Sequence, residues 1–384
     1  MEKITLSVLK ADVGGFVGHT GMHEDVLKRA REFVNKAISR GTLVDAWVGG
    51  VGDDLELVLS HDRGSDSKEI HKLGWEAFTV CAEVAERLKL THPGRDLLAP
   101  SFPGNLRGAG PGVSEITFRE RPAEPVVVFM ADKCDLGAWN LPLYRIFADP
   151  LHTPGLVLDP SMHEGFAFEV LDRLENRIIT LQCPGDIYDL VMFLGSHARD
   201  VVSKVIRRVD GTVAAAATCP RPPQLGDAAG TDDPALIVRC QIGLPTVGEV
   251  TEAFAFPHLV SGWLRTVHQG PLMPVALKDA RGVRFDGPPR VAAAGFQVAN
   301  GKLSGPVDLF DDPSFDGARR RAMEVMEYFR GHGPFEPHRV PHDRLANTAF
   351  PPLLARLESR FVRMDDERPG KKPARKKSGS QDDD

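Results

Sequence analysis

Carboxylates recur where the 384-residue chain passes from regular patterning into loop-like stretches: Asp12, the pair Asp53 and Asp54, Asp132, and the pair Asp232 and Asp233, with His19 a few residues after Asp12. Carboxylates gathered in one place repel each other unless hard cations lie between them, and Mg2+ prefers such oxygens together with water and phosphate oxygens. As a group, then, these residues suit metal-assisted work on a phosphate. Taken singly, each Asp is equally well explained as a helix cap or a turn residue. The separations, tens to a hundred residues, do not decide between the two, so the elements that carry the side chains must.

Residues 4–10 alternate apolar and polar positions, the pattern of a half-buried strand, and deliver Asp12 at the strand end. Residues 24–40 place Val26, Leu27, Ala30, Phe33, Val34, Ala37 and Ile38 at helical spacing, with Gly41 as a stop. A second strand over 42–49 and a third over 55–60 are interrupted by Asp53 and Asp54. Residues 67–90 read as another amphipathic helix, and an apolar strand over 125–130 ends in Ala131, Asp132 and Lys133. Further strands are expected at 167–171, 178–181, 213–217, 235–241 and 290–298, and helices at 186–195 and 314–332. Gly and Pro clusters over 100–104 and 108–112 mark loops of defined shape. The pattern is a mixed α and β globule. The tail over 362–384 alternates acidic and basic blocks with almost no apolar residue, so burial cannot offset its ordering entropy and a disordered charged extension is expected.

Composition narrows the function classes. With 47 Lys+Arg against 53 Asp+Glu, a net charge of -6 and both signs mixed, a nucleic acid is not the expected partner. No run of about 18 apolar residues occurs, so no membrane role is expected, and the N-terminus has no secretory pattern. Five cysteines without a CxxC pair fit a reducing cytoplasm rather than a disulfide framework or a zinc ribbon.

Longer motifs then carry a resemblance. Leu9-Lys10-Ala11-Asp12, Gly18-His19, Val51-Gly52-Asp53-Asp54-Leu55, Ser101-Phe102-Pro103-Gly104-Asn105 and Phe129-Met130-Ala131-Asp132-Lys133 resemble the fructose-1,6-bisphosphate aldolase/phosphatase family of archaea and some bacteria. So do Asn140-Leu141-Pro142-Leu143-Tyr144, Thr153-Pro154-Gly155-Leu156-Val157, Phe254-Ala255-Phe256-Pro257-His258 and Arg284-Phe285-Asp286-Gly287-Pro288-Pro289. The resemblance implies an α/β (α+β) fold, a single-domain four-layer α-β-β-α sandwich over 1–361. It also implies a homo-octamer, several Mg2+ ions and a phosphorylated sugar as substrate. Members of that family condense two triose phosphates through a lysine Schiff base and hydrolyse the 1-phosphate of the product. Carried over by motif, the metal ligands are Asp12, His19, Asp53, Asp54, Asp132, Asp232 and Asp233, with Asp12, Asp53, Asp54, Asp132 and Asp233 in the catalytic role. Lys133, Gln241, Arg265 and Asp286 fall in the substrate and phosphate region.

The departures gather at the same site. The Schiff-base lysine of the family precedes the paired aspartates, where this chain has Thr231, and threonine cannot form an imine. Family tyrosines align with Ala228, Asn347 and Thr91, and a family glutamine near the metals aligns with Arg95, which cannot ligate Mg2+ but suits a phosphate. Oxygen ligands and phosphate-binding groups survive while imine-forming and phenolic groups do not. The expectation is an Mg2+-dependent sugar-phosphate or bisphosphate phosphatase without Schiff-base aldolase activity, with Lys133 and Lys278 as the amines that would have to replace the missing one. The alternatives are a metal-dependent lyase or aldolase-type enzyme on another phosphorylated substrate, and a non-catalytic metabolite-binding paralogue.

Overall fold

The computed structural model describes residues 3–94, 97, 111–173, 175–196, 199–218, 234–262, 268–284, 287–333 and 350–361. Two compact units divide the chain, Met1–Asn347 and Thr348–Asp384.

The first unit opens with β1 (Lys3–Asp12), α1 (Glu24–Ser39), β2 (Asp45–Val51), β3 (Asp54–His61), α2 (Lys68–Arg87), β4 (Gly112–Arg119) and β5 (Glu124–Asp132). It continues with α3 (Asn140–Ala148), α4 (Gly155–Leu158), β6 (Phe166–Asp172), β7 (Arg177–Gln182), α5 (Ile187–Leu194), β8 (Asp200–Arg207), β9 (Val213–Ala217) and β10 (Ala235–Arg239). It closes with α6 (Val247–Glu252), β11 (Leu259–Gly262), β12 (His268–Pro271), β13 (Met273–Pro274), β14 (Arg290–Ala299), β15 (Lys302–Asp308) and α7 (Asp316–Gly331). In the second unit the described structure is α8 (Phe350–Leu357) and a short 3-10 turn.

A four-stranded antiparallel sheet has the order β2-β3-β1-β4. A nine-stranded sheet runs β13-β14-β5-β10-β9-β8-β6-β7, with β15 added to β14. Strand periodicity shows how they stack. Leu9 and Ala11 of β1 pack with Val26, Ala30 and Val34 of α1 and with Ala77, Phe78 and Cys81 of α2. The opposite face of β1, Ile4, Leu6 and Val8, meets Val126, Val128 and Met130 of β5. The other face of β5, Val127 and Phe129, packs with Leu143, Ile146 and Phe147 of α3 and Leu190 of α5. The layers therefore run helix, sheet, sheet, helix, as expected. No helix among the described residues is long and apolar enough to cross a membrane.

Two expectations need correction. β1 is not half-buried: Thr5, Ser7 and Lys10 are as enclosed as their apolar neighbours. Their polarity is satisfied sideways, Thr5 by Thr117, Ser7 by Glu115 and Lys10 by Asp54. Six strands, β4, β8, β11, β12, β13 and β15, also lie where no strand was expected, and the strand expected over 235–241 ends at Arg239.

Candidate active site

The site forms at the rim where the layer between the two sheets runs out. The face of β1 that carries Ile4, Leu6 and Val8 into this layer continues, at a period of two, through Lys10 to Asp12. Across the ladder Asp54 stands opposite Asp12, and Glu56 opposite Lys10. From the second sheet the face of Val126, Val128 and Met130 ends in Asp132. Side chains distant in sequence thus reach one rim through register. Gly52 and Asp53 form the turn between β2 and β3. Gly52 has φ +60°, and a Cβ there would stand 2.0 Å from Asp132 Oδ1, so the turn can close on Asp132 only without a side chain.

Ligand atoms of Asp12, His19 and Asp53 lie within 4.8 Å of one another. His19 Nδ1 is 2.6 Å from Asp53 Oδ2. Lys133, held at φ +67°, donates to Asp53 Oδ1 at 3.0 Å and to Asp132 Oδ1 at 2.9 Å. A bulky side chain at positive φ is a strained arrangement found where a site demands it. Lys10, 2 % exposed, reaches Asp54 at 3.3 Å. Beside the centre, Thr91 exchanges two backbone hydrogen bonds with Gly15, and His92 stacks on His19 with ring centroids 5.1 Å apart.

The charges are unevenly settled. Burial works to raise the Asp53 carboxyl, but the His19 hydrogen bond and the Lys133 ammonium outweigh it and leave it well below the usual carboxylate range. His19 moves upward, chiefly through that bond to Asp53. Asp132 is pushed up by complete burial, which Lys133 opposes without cancelling. Arg290, opposite Asp132 on β14, is lowered by its own burial. Asp132 Oδ2 is buried without a hydrogen-bond partner.

An enclosed carboxylate oxygen left unmatched, beside two further carboxylates and an imidazole, is the donor set a hard divalent cation takes. The residues present fit such an ion: Asp12, His19 and Asp53 bring ligand atoms close enough to hold it, with Asp132 tied to Asp53 through Lys133 and Asp54 opposite Asp12.

Of the residues expected at the site, the structure brings together Asp12, His19, Asp53, Asp54, Asp132 and Lys133. Gln241 is elsewhere. Ala235 pairs with Met130 and Arg239 with Val126, so Gln241 lies level with the far end of β5, roughly 27 Å from Asp132 at strand rise. Arg95, Asp232, Asp233, Arg265 and Asp286 lie outside the described residues, as do Ala228, Thr231 and Asn347. Sequence reasoning gave no role to Lys10, Glu56, Arg290 or His92. Lys10 and Glu56 were within reach of it, since each sits two residues from an expected ligand on the same strand face. His92 carries no such signal.

A carboxylate, histidine and lysine centre at an inter-sheet rim has donors for a cation and an ammonium for a phosphate side by side. The family model described as Fructose-1,6-bisphosphatase matches residues 3–362, and the chain belongs to that family. It is 50% identical over 364 residues to a protein of Methanothermobacter marburgensis named fructose-1,6-bisphosphate aldolase/phosphatase, covering 94% of this chain and 100% of that one. Proteins of the same name from Moorella thermoacetica and Ignicoccus hospitalis are 49% identical over 380 residues, with 99% of each chain covered, and 51% identical over 361, with 94% of this chain and 93% of the relative covered.

Proposed function

We propose that the protein is an Mg2+-dependent phosphatase of a sugar phosphate or bisphosphate, of the fructose-1,6-bisphosphatase kind, and has lost Schiff-base aldolase activity. The observation that carries this is the unmatched, buried Asp132 Oδ2 at the rim shared with Asp12, His19 and Asp53. Bound Mg2+ would supply Lewis-acid polarisation of a phosphoryl oxygen.

The chain's own groups divide the remaining work. Asp12, His19, Asp53, Asp54 and Asp132 hold the cations, with Asp233 and Asp232 joining them from the segment that ends at Pro234. Lys133, between Asp53 and Asp132, presents an ammonium to phosphate oxygens. Lys10 stays on Asp54 and limits the repulsion among the carboxylates. Arg95, Arg265 and Asp286 recognise the rest of the substrate. Gln241, remote from its own chain's centre, serves that of a neighbouring copy in a homo-octamer. The buried thiols of Cys81, Cys134, Cys183 and Cys240, none of them in a disulfide, suit work in a reducing cytoplasm.

Loss of imine chemistry rests on Thr231 and on the two lysines that would have to stand in. Lys133 has its amine engaged by two carboxylates, and Lys278 is raised above its ordinary value by its bond to Asp311. An imine-forming lysine needs the reverse, a free amine. The test is phosphate release from a panel of sugar phosphates with and without Mg2+, run beside borohydride trapping with a triose phosphate. Mg2+-dependent release without a borohydride adduct is expected. Absence of release from every substrate, or a covalent adduct, overturns the reading.

A further inference from the structure

At the end of the four-stranded sheet away from the carboxylates, a groove of about 580 Å3 opens among Lys3, Arg119, Arg121, Arg207 and Arg239. Its size falls in the range of small-molecule sites. The cations are not matched by anions. Buried Glu124 takes both Arg121, at 2.6 Å, and Arg239, at 2.7 Å, so one carboxylate serves two guanidinium groups. Asp210 takes Arg207 at 2.8 Å, yet the Arg207 Nε is buried without a partner. Lys3 and Arg119 stand directly opposite each other across the β1–β4 ladder, both exposed, and among the described residues neither has a carboxylate partner.

Like charges facing each other across two strands destabilise the pair, and an anion between them removes that cost. The guanidinium groups at the back are already locked in place, Arg239 by Glu124 and the Val213 carbonyl, Arg121 by Glu124 and the Cys240 carbonyl. Preset guanidinium groups with a mobile amine at the mouth suit a phosphate, which accepts from several donors at once. The groove is separate from the metal centre: Lys3 and Asp12 end the same strand, roughly 30 Å apart at strand rise.

We propose that this groove is a second anion site that takes a phosphate group, free or carried by a small metabolite, without help from the carboxylate centre. The inference goes beyond the phosphatase reading and does not depend on it. Equilibrium dialysis of the full chain in Mg2+ buffer with radiolabelled inorganic phosphate tests it, on wild type, on Asp53→Asn and on the double variant Lys3→Ala with Arg119→Ala. A phosphate-binding class that persists in Asp53→Asn, weakens about tenfold or more in the double variant, and weakens further with added salt is expected. The double variant keeps its turnover in phosphate-free buffer, and Arg119→Lys, which retains the charge, restores most of the binding to a chain carrying Lys3. A hexose monophosphate that displaces the label more tightly than unlabelled phosphate assigns the groove to an ester; equal displacement assigns it to free phosphate. Loss of all phosphate binding in Asp53→Asn, or undiminished binding in the double variant, overturns the proposal.

Discussion

The strand Lys3–Asp12 ends at the carboxylate centre and carries a second buried polar cluster near its start, and the two are built in opposite ways. Around Ser7 the hydrogen bonds close. Ser7 donates to Glu115 Oε1 at 2.6 Å, His61 Nε2 lies 2.8 Å from the Ser7 hydroxyl, and the Arg63 N–H donates to His61 Nδ1. Glu115 also receives His71 at Oε1 and the Asp66 N–H at Oε2. Asp66, His71 and Glu115 are near enough to hold an ion, but Glu115 already has partners at both oxygens. At the other end Asp132 Oδ2 has none. Similar residue types therefore make a closed knot in one place and leave a carboxylate oxygen open in the other. What separates them is whether the polar atoms are satisfied, since unmatched buried groups cost stability and persist where function needs them.

Asp132→Asn gives the sharpest way to break this contrast. Replacing a cation-holding oxygen should lower turnover by on the order of 10²-fold or more. Folding stability should change by only about 1 kcal/mol, because burial already favours the neutral form of Asp132. Phosphate-release kinetics and urea unfolding read the two quantities on one preparation. Turnover that survives while the fold collapses would make the two ends alike.

Glu115→Ala is the mirror experiment. It removes one hydrogen bond each from the Ser7 hydroxyl, the His71 imidazole and the Asp66 N–H, and should cost about 2 kcal/mol of unfolding free energy. Turnover per folded molecule should stay within about twofold of wild type, since the sites are well separated on the strand. Urea titration followed by assay below the transition measures both.

The closed cluster also sets a pH dependence. Burial holds His61 down to about 4 from an ordinary 6.5, so between those values the unfolded chain binds a proton that the folded chain refuses. The contribution is complete above pH 6.5 and is lost as the pH falls towards 4, by about 3 kcal/mol at most. Glu115 is also held below its ordinary value, where its hydrogen bonds from His71 and Ser7 outweigh burial, and acts in the same direction. Unfolding free energies measured at pH 7 and pH 4.5 should differ for wild type, and the difference should shrink in His61→Gln.

How much of this was legible in the residues depends on what hides a pattern. The helices Glu24–Ser39, Lys68–Arg87 and Asp316–Gly331 are amphipathic, and their stripes were readable. Asn140–Ala148 was not read as a helix because it is buried on most of its surface, leaving no polar face to set a period. In Gly112–Arg119 the residues Ser114, Glu115 and Thr117 make cross-strand bonds, so polarity no longer marks the solvent side. The carboxylates themselves were legible as strand ends and turns, and the bonds of Lys133 to Asp53 and Asp132 show two of them in one place. Their shared rim was not legible, because it follows from which residues stand opposite in the β1–β3 ladder and from which face of β5 meets β1. Lys10 illustrates the loss: its place on the face of Asp12 was readable from the spacing, but its bond to Asp54 follows from the register with β3.

The smallest expected effect belongs to a lysine outside both clusters. Lys278 pairs with Asp311 at 2.9 Å, with 66% and 53% of the two side chains exposed, an arrangement that solvent and salt screen. Its hydrogen bond to Asp311 raises it above its ordinary value, which keeps the amine protonated and unable to attack a carbonyl at neutral pH. Lys278→Ala should leave Tm and turnover at their wild-type values, measured by thermal unfolding and phosphate release. A Lys278→Ala chain that lost turnover while keeping its Tm would show an amine working outside the carboxylate centre, and turnover could no longer be ascribed to that centre alone.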